Sequence, residues 1–243
     1  MSIASIITVR TASTRLPNKC LLPFGDGNVL EHVIRRTKFY GFHPIVCTTL
    51  ESSDDIIETI AENENVSCFR GNTVNKLKRW LDCCDYFHIE EFHTVDADDP
   101  FFDGDEIKKS IALLHEGYDM VSPTLASSSG GASVGYSITK AIVAKACAII
   151  PEDEDTEMMW NYINQVDGIK KTVLPGIDSD SLAIRLTLDY EEDYWLLLTI
   201  QRILGNLASR KEVNNLFKRN PDLFKVNWFR NEEWSNNQKK KKT

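Results

Sequence analysis

The sequence lacks the short motifs of several common ligand-binding families. It has no G-x-G-x-x-G, no G-x-x-x-x-G-K-[S/T] and no H-E-x-x-H, so nothing indicates a dinucleotide-binding domain, a P-loop NTPase or a zinc protease. No apolar run approaches the ~20 residues that span a bilayer, and we expect no membrane span. The six cysteines include no C-x-x-C pair. We therefore expect reduced thiols in a cytoplasmic protein, not disulfides or a zinc site.

The sequence also has fewer basic than acidic residues. Lysine and arginine total 28 against 36 acidic residues, which gives a net charge of −8. This balance argues against a broad nucleic-acid-binding surface but allows a local basic pocket for a small phosphorylated ligand. The 243 residues, 42% of them hydrophobic, can form one domain with a full core. We predict this domain over residues 1–232, with a smaller acceptor or dimer lobe at about 124–175 and a flexible lysine-rich tail at 233–243.

Strand-like and helix-like segments alternate along the first half of the chain. Repeated β-α-β units of this kind predict a three-layer α/β fold with a mainly parallel sheet. Ligands bind such sheets at the carboxyl ends of the strands, so loops 10–19, 71–75 and 96–103 should share one rim. Apolar runs predict the following strands: 3–9, 45–49, 66–69, 92–96, 120–122, 135–138, 171–174 and 183–188. We assign 135–138 and 171–174 to the inserted lobe, and 183–188 to the main sheet.

The loop after the first strand is rich in cations. Its sequence, RTASTRLPNK, contains Arg10, Arg15 and Lys19. A triphosphate needs cationic and amide donors to offset its charge while pyrophosphate departs. Arginine supplies a planar fork and lysine a mobile point charge. Composition alone fits either a phosphate-binding loop or a solvated basic loop.

Carboxylates follow two of the predicted strands. Residues 96–100 read DADDP, and residues 185–189 read RLTLD. Mg²⁺ commonly takes one or two carboxylates together with substrate phosphates. Alternation along an extended segment places Asp96 and Asp98 on one side, and Asp98 is the better ligand candidate. Asp189 either completes the metal site or caps the helix that begins near residue 191.

Taken together, these segments resemble the cytidylyltransferase superfamily of the glycosyltransferase-A type. That superfamily includes the synthetases of CMP-3-deoxy-manno-octulosonate and CMP-sialic acids, and spore-coat polysaccharide cytidylyltransferase-like proteins. Residues 10–19 are similar to its loop AR-x-x-S-x-R-L-P-x-K, and residues 69–71 to its F-R-G turn. Residues 98–100 look like its G-D-x-P element, and residues 185–194 like its R-x-T-V-D-x-P-E-D-Y element.

The resemblance implies an activity and a set of site residues. The activity is Mg²⁺-dependent transfer of CMP from CTP to a sugar acid or related small acceptor, with release of pyrophosphate. The implied nucleotide-binding residues are Arg10, Ser13, Arg15, Lys19, Gly71 and Asn72, and we expect Asp96, which departs from the family pattern, to join them. Arg15 and Lys19 are the implied catalytic residues, and Asp98 and Asp189 the implied Mg²⁺ ligands. A homodimer is also expected.

Three segments depart from the family pattern. Asp96 stands where threonine or glutamine is common, and a carboxylate there could accept a hydrogen bond from the amino group of cytosine, or of adenine. Residues 75–80, NKLKRW, replace D-V-L-D-R-Y, and residues 133–136, SVGY, stand where D-V-E-V/F is typical. Two alternatives stay open: a silent nucleotide-binding relative that acts as a regulator or partner, and a glycosyltransferase of the same fold. The D-x-D pattern of residues 96–98 formally matches the latter.

Overall fold

A central seven-stranded sheet carries helices on both faces in the computed structural model, which describes residues 3–176 and 184–240. The strands are β1 (Ala4–Thr8), β2 (Pro23–Phe24), β3 (Gly27–Asn28), β4 (His43–Thr49), β5 (Ser67–Gly71), β6 (Glu91–Asp96), β7 (Met120–Ser122), β8 (Ser137–Thr139) and β9 (Lys171–Val173). The helices are α1 (Val29–Phe39), α2 (Asp55–Asn63), α3 (Lys76–Phe87), α4 (Gly104–Leu114), α5 (Lys140–Cys147), α6 (Met159–Ile163), α7 (Glu191–Leu204), α8 (Arg210–Arg219) and α9 (Arg230–Lys240).

The strand order of the sheet is β5-β4-β1-β6-β8-β7-β9. Strands β5, β4, β1 and β6 are parallel, whereas β8 runs antiparallel to both β6 and β7. Strands β7 and β9 pair in parallel, and β2 and β3 form a separate hairpin. The predicted fold class, a mainly parallel three-layer α/β sheet, is confirmed.

The register of the parallel strands aligns their carboxyl ends. Thr8 at the end of β1 lies opposite both Cys47 and Asp96, and Thr49 at the end of β4 lies opposite Gly71. The loops that follow these strands therefore emerge at one edge of the sheet. We call this edge, with loops 10–19, 71–75 and 96–103, the carboxyl rim.

Each face of the sheet is covered by apolar side chains at helical spacing. Helices α1, α2 and α4 bury residues such as Val33, Ile57 and Ile107 against one face. Helices α3, α5 and α6 bury residues such as Trp80 and Ile142 against the other. A third apolar cluster joins α7 and α8 to the hairpin. Among the described residues no helix is long and apolar enough to cross a membrane.

The structure differs from the sequence prediction in the second half of the chain. Residues 184–188 form no strand, so the prediction there is wrong; residue 183 lies outside the described residues. Their amides bond to loops instead: Leu186 N donates to Gly130 O at 2.8 Å, and Leu188 N donates to Asp98 O at 2.7 Å. Strands β8 and β9, which we expected in a separate lobe at 124–175, belong to the central sheet itself. Helix α9 covers most of the expected tail at 233–243, and residues 241–243 are not described.

Candidate active site

A lysine lies between two carboxylates at the carboxyl rim. Lys19 Nζ is 2.5 Å from Asp98 Oδ2 and 2.8 Å from Asp189 Oδ1. Arg15 Nη2 is 2.5 Å from the same Asp189 oxygen. These side chains come from three distant segments: the loop after β1, the loop after β6 and the turn before α7. The structure thus brings together the two predicted catalytic residues and the two predicted metal ligands.

Burial and charge act in opposite directions on this cluster. Burial alone lowers the pKa of Lys19, but the carboxylates of Asp98 and Asp189 outweigh it and raise that pKa. Burial alone raises the pKa of Asp189, but Lys19 and Arg15 outweigh it and lower that pKa. Both groups are therefore charged at neutral pH, and each needs the other because an isolated buried charge is costly.

The carboxylates also suit a divalent cation. Asp96, Asp98 and Asp99 each place a carboxylate oxygen within 4.8 Å of the other two. Burial, Asp189 and Asp96 raise the pKa of Asp98, and Lys19 only partly opposes this. Converging hard oxygen ligands are what Mg²⁺ and Mn²⁺ prefer. An ion held by Asp98 and Asp189 would take the position that the Lys19 ammonium occupies.

A buried ion pair fixes the position of Asp189. The guanidinium of Arg185 donates to both carboxylate oxygens of Asp193, at 2.8 and 2.9 Å, and both side chains are fully buried. Asp193 Oδ2 also accepts from the backbone amides of Asp189 and Tyr190, each at 3.0 Å. Helix α7 begins at Glu191 with Tyr190 as its N-cap residue. Asp189 therefore does not cap the helix, and its side chain is directed to Lys19 and Arg15.

The carboxylate of Asp54, which was not singled out from the sequence, anchors the basic loop 10–19. The backbone amide and hydroxyl of Thr11 donate to Asp54 Oδ1 at 2.8 and 2.7 Å. The hydroxyls of Thr48 and Thr49 donate to Asp54 Oδ2 at 3.0 and 2.5 Å. Burial opposes ionisation, but these hydrogen bonds prevail and lower the pKa of Asp54. The T-T pair at the end of a strand, five residues before an aspartate, is the only local signal of this anchor.

The remaining predicted residues surround the cluster without joining it. Arg10 is exposed and lies 3.4 Å from Glu157. Ser13 Oγ accepts a long, 3.4 Å hydrogen bond from the amide of Leu16. Asn72 Oδ1 accepts from two amides of its own turn, so it shapes the 71–75 loop.

Gly71 ends β5 and Asp96 ends β6, on either side of β4 and β1 at the carboxyl rim. A Cβ on Gly71 would lie only 2.7 Å from Phe69 Cε1, which explains glycine there. Asp96 is paired with a residue that the sequence analysis did not single out: Lys76 Nζ lies 3.5 Å from Asp96 Oδ1.

The fold and the cluster, in which cations lie beside carboxylates at the carboxyl rim, are those of a nucleotidyltransferase of the α/β type. Residues 4–172 match the family model described as Cytidylyltransferase. Since the match covers more than half of the 243 residues, the chain belongs to this family. It is a CTP-dependent nucleotidyltransferase, and the family resemblance seen in the motifs is confirmed.

Similar proteins match along almost their whole length. An uncharacterized protein, MJ1063, of Methanocaldococcus jannaschii is 29% identical, with 93% of this chain and 95% of that protein covered. The spore coat polysaccharide biosynthesis protein SpsF of Bacillus subtilis is 25% identical, with 90% and 95% covered. The structure of a cytidylyltransferase from Leptospira borgpetersenii superimposes with a TM-score of 0.83 at 27% identity, over 92% of this chain and 97% of that one.

Proposed function

We propose that this enzyme transfers CMP from CTP to a small sugar-type acceptor, with Mg²⁺ bound by Asp98 and Asp189. The observation that carries the proposal is the contact of Lys19 with both carboxylates, next to Arg15 on the same rim. Similarity to a spore coat polysaccharide biosynthesis protein supports a sugar-type acceptor. The products would be a CMP-linked acceptor and pyrophosphate.

The reaction is a displacement at the α-phosphorus of CTP. An acceptor oxygen forms a bond to that phosphorus while the bond to the bridging oxygen of pyrophosphate breaks, and the acceptor loses its hydroxyl proton. Arg15 and Lys19 would bind triphosphate oxygens and offset the charge that develops on pyrophosphate. A bound Mg²⁺ supplies further charge neutralisation at the phosphate oxygens. Such catalysis relies on positioning and electrostatics and needs no covalent enzyme intermediate.

The other predicted site residues on the rim would contact the remaining parts of CTP. Arg10 and Ser13, at the start of the basic loop, are available for the triphosphate. Gly71, Asn72 and Asp96 would contact the nucleoside, since they lie on the carboxyl rim, at or just after the ends of β5 and β6.

Thermal denaturation with CTP, UTP, ATP and GTP, each with and without Mg²⁺, tests the proposal. A ligand at 100 times its Kd stabilises the folded state by about 2.7 kcal/mol, which raises the Tm of a chain of this length by roughly 5–10 °C. We expect such a shift for CTP and a larger one when Mg²⁺ is present. Sugar-acid acceptors would then be screened for pyrophosphate release. If no triphosphate shifts Tm, the proposal fails.

A further inference from the structure

The pair formed by Lys76 and Asp96 lies on the rim beside the catalytic cluster. Lys76 is the first residue of α3 and only 8% exposed, whereas the Asp96 side chain is 44% exposed. Their separation of 3.5 Å is longer than an ordinary N–H···O hydrogen bond. The three N–H donors of Lys76 and the carboxylate lone pairs of Asp96 can therefore still bind a ligand.

The position of Lys76 does not favour helix stability. The amino end of a helix carries a partial positive charge, so cations there are unfavourable. The first turn of α3 nevertheless contains Lys76, Lys78 and Arg79 and no acidic residue. Burial alone lowers the pKa of Lys76, and the surrounding carboxylates, Asp96 foremost, are needed to raise it. A buried ammonium held in an unfavourable place is typical of a functional residue.

The lysine is also held rigidly. Its ammonium lies 5.1 Å from the ring centre of Trp80, which is 1% exposed. The indole of Trp80 donates to Thr8 Oγ1 at 2.9 Å, and Thr8 lies opposite Asp96 in the sheet. At the helix start, Asn75 caps the amide of Lys78. The ammonium of Lys76, a donor, and the carboxylate of Asp96, an acceptor, therefore lie side by side on a helix and a strand whose positions are fixed.

Aromatic side chains lie next to the pair. Tyr136 and Trp160 are stacked, with ring centres 6.3 Å apart and an interplanar angle of 12°. Burial and then the charge of Asp96 raise the pKa of Tyr136 to about 12. Its amide donates to Thr94 Oγ1 at 2.9 Å, two residues before Asp96 on β6. Proteins commonly bind a nucleobase by stacking it on an aromatic ring while polar side chains form hydrogen bonds with the edge of the base.

We propose that Lys76 and Asp96 together read the base, and that Lys76 is a specificity-determining residue for cytosine. This inference rests on the function proposed above. Cytosine presents an amino donor next to a ring-nitrogen acceptor, which match the carboxylate of Asp96 and the ammonium of Lys76. Uracil presents the reverse order, a carbonyl acceptor next to a ring N–H donor. Both contacts are thus favourable for CTP and both are unfavourable for UTP.

The same match of donors and acceptors predicts which purine nucleotide binds more tightly. Adenine has the amino-acceptor order of cytosine, and guanine has the reverse order of uracil. We therefore expect tighter binding of CTP than UTP and of ATP than GTP. A correctly paired base edge typically discriminates by a factor of roughly 5–150.

Calorimetric titration with CTP and UTP, in Mg²⁺ and without acceptor, tests the pair. Lys76→Met should weaken CTP binding at least about fivefold and should not weaken UTP binding. Lys78→Met is the matched control: it removes the same charge from the same helix turn, but Lys78 is paired with Asp82 at 2.5 Å. It should bind both nucleotides as the wild type does.

Asp96→Asn provides a second variant, at a half-exposed position where folding is not at stake. An amide can accept from cytosine or donate to uracil, so the CTP-to-UTP preference should fall to within about fivefold. The inference is overturned if Lys76→Met binds CTP as tightly as the wild type does, or if Asp96→Asn keeps the full preference. In either case CTP binding by the wild type leaves the proposed function standing. Failure of the wild type to bind any triphosphate would instead overturn the proposed function.

Discussion

Replacing Lys19 with methionine should strengthen metal binding by the nucleotide-free protein. In the structure the ammonium contacts both predicted metal ligands, at 2.5 Å from Asp98 and 2.8 Å from Asp189. A divalent ion that binds the same carboxylates has to displace this ammonium first. Methionine has a similar length and no charge, so the carboxylates stay in place without a competing cation.

The magnitude follows from the two contacts. A hydrogen bond between charged groups contributes about 1.5–3 kcal/mol net, so displacing both costs at least about 3 kcal/mol, equivalent to roughly 100-fold in affinity. Hydration of the freed ammonium recovers part of this cost. We expect Lys19→Met to bind Mn²⁺ or Mg²⁺ roughly 10- to 100-fold more tightly than the wild type does when no nucleotide is present.

Calorimetric titration of Mn²⁺ into nucleotide-free protein is the appropriate assay. Lys108→Met serves as the control, because Lys108 is exposed and contacts Asp105 at 3.1 Å on α4. It removes one positive charge away from the rim and should leave the Kd for Mn²⁺ unchanged within about twofold. Arg15 still neutralises Asp189 in Lys19→Met, and a thermal melt checks that the variant is folded. Equal Mn²⁺ affinity in folded Lys19→Met and wild type would refute the view that Lys19 occupies the metal position.

Three further substitutions test the site and its scaffold. Asp98→Asn should lower pyrophosphate release about 100-fold or more with any acceptor that supports turnover, while Tm stays within a few degrees. Asp54→Asn should cost about 1–3 kcal/mol at pH 7. Because the pKa of Asp54 is lowered by folding, this stabilisation is fully present above about pH 4 and is lost as the pH falls from there through the lowered pKa of the folded state. In urea denaturation between pH 3 and 7, the difference in unfolding free energy between wild type and variant should begin to shrink below about pH 4. Asp193→Asn should cost about 3–5 kcal/mol, because it removes the closer of the two carboxylates that neutralise the buried Arg185. The surface substitution Glu192→Gln should cost at most about 1 kcal/mol in the same urea experiment.

The part of the fold that builds the rim could be predicted from apolar periodicity. Buried parallel strands read as short apolar runs, and those of β1, β4, β5 and β6 lie between clear helical patterns. Their carboxyl ends then had to meet, which is why Lys19 and Asp98 could be placed together. The hairpin of β2 and β3 could not be predicted, since each strand has two residues. The 184–188 segment misled because its apolar side chains pack into a core cluster while its amides bond to loops.

Site residues could be predicted where they are adjacent in the sequence, but not where their contacts join residues that are far apart in the sequence. The basic loop and the two acidic segments are short runs of charged residues, so Arg15 and Asp189 could be singled out as candidates from the sequence alone. Asp54 is 43 residues from Thr11, and no local pattern reveals that contact. Arg185 and Asp193 are eight residues apart in the sequence, but only the fold shows that both are buried. The expected homodimer stays a prediction.

The departures from the family pattern take on a different meaning once Lys76 and Asp96 are seen to be partners. Taken one at a time, the acidic residue at 96 and the cations at 75–80 are departures from the family pattern that give no reason to expect activity. A carboxylate at 96 beside an apolar residue at 76 would face Asp98 and Asp99 with one cation fewer, a costly cluster of like charges. A lysine at 76 without the carboxylate would be a buried ammonium at the unfavourable end of a helix. Each change offsets the cost of the other, and neither disturbs the contacts of Lys19. Decay of an inactive relative gives no reason for such a match, whereas a changed ligand contact in a working enzyme does.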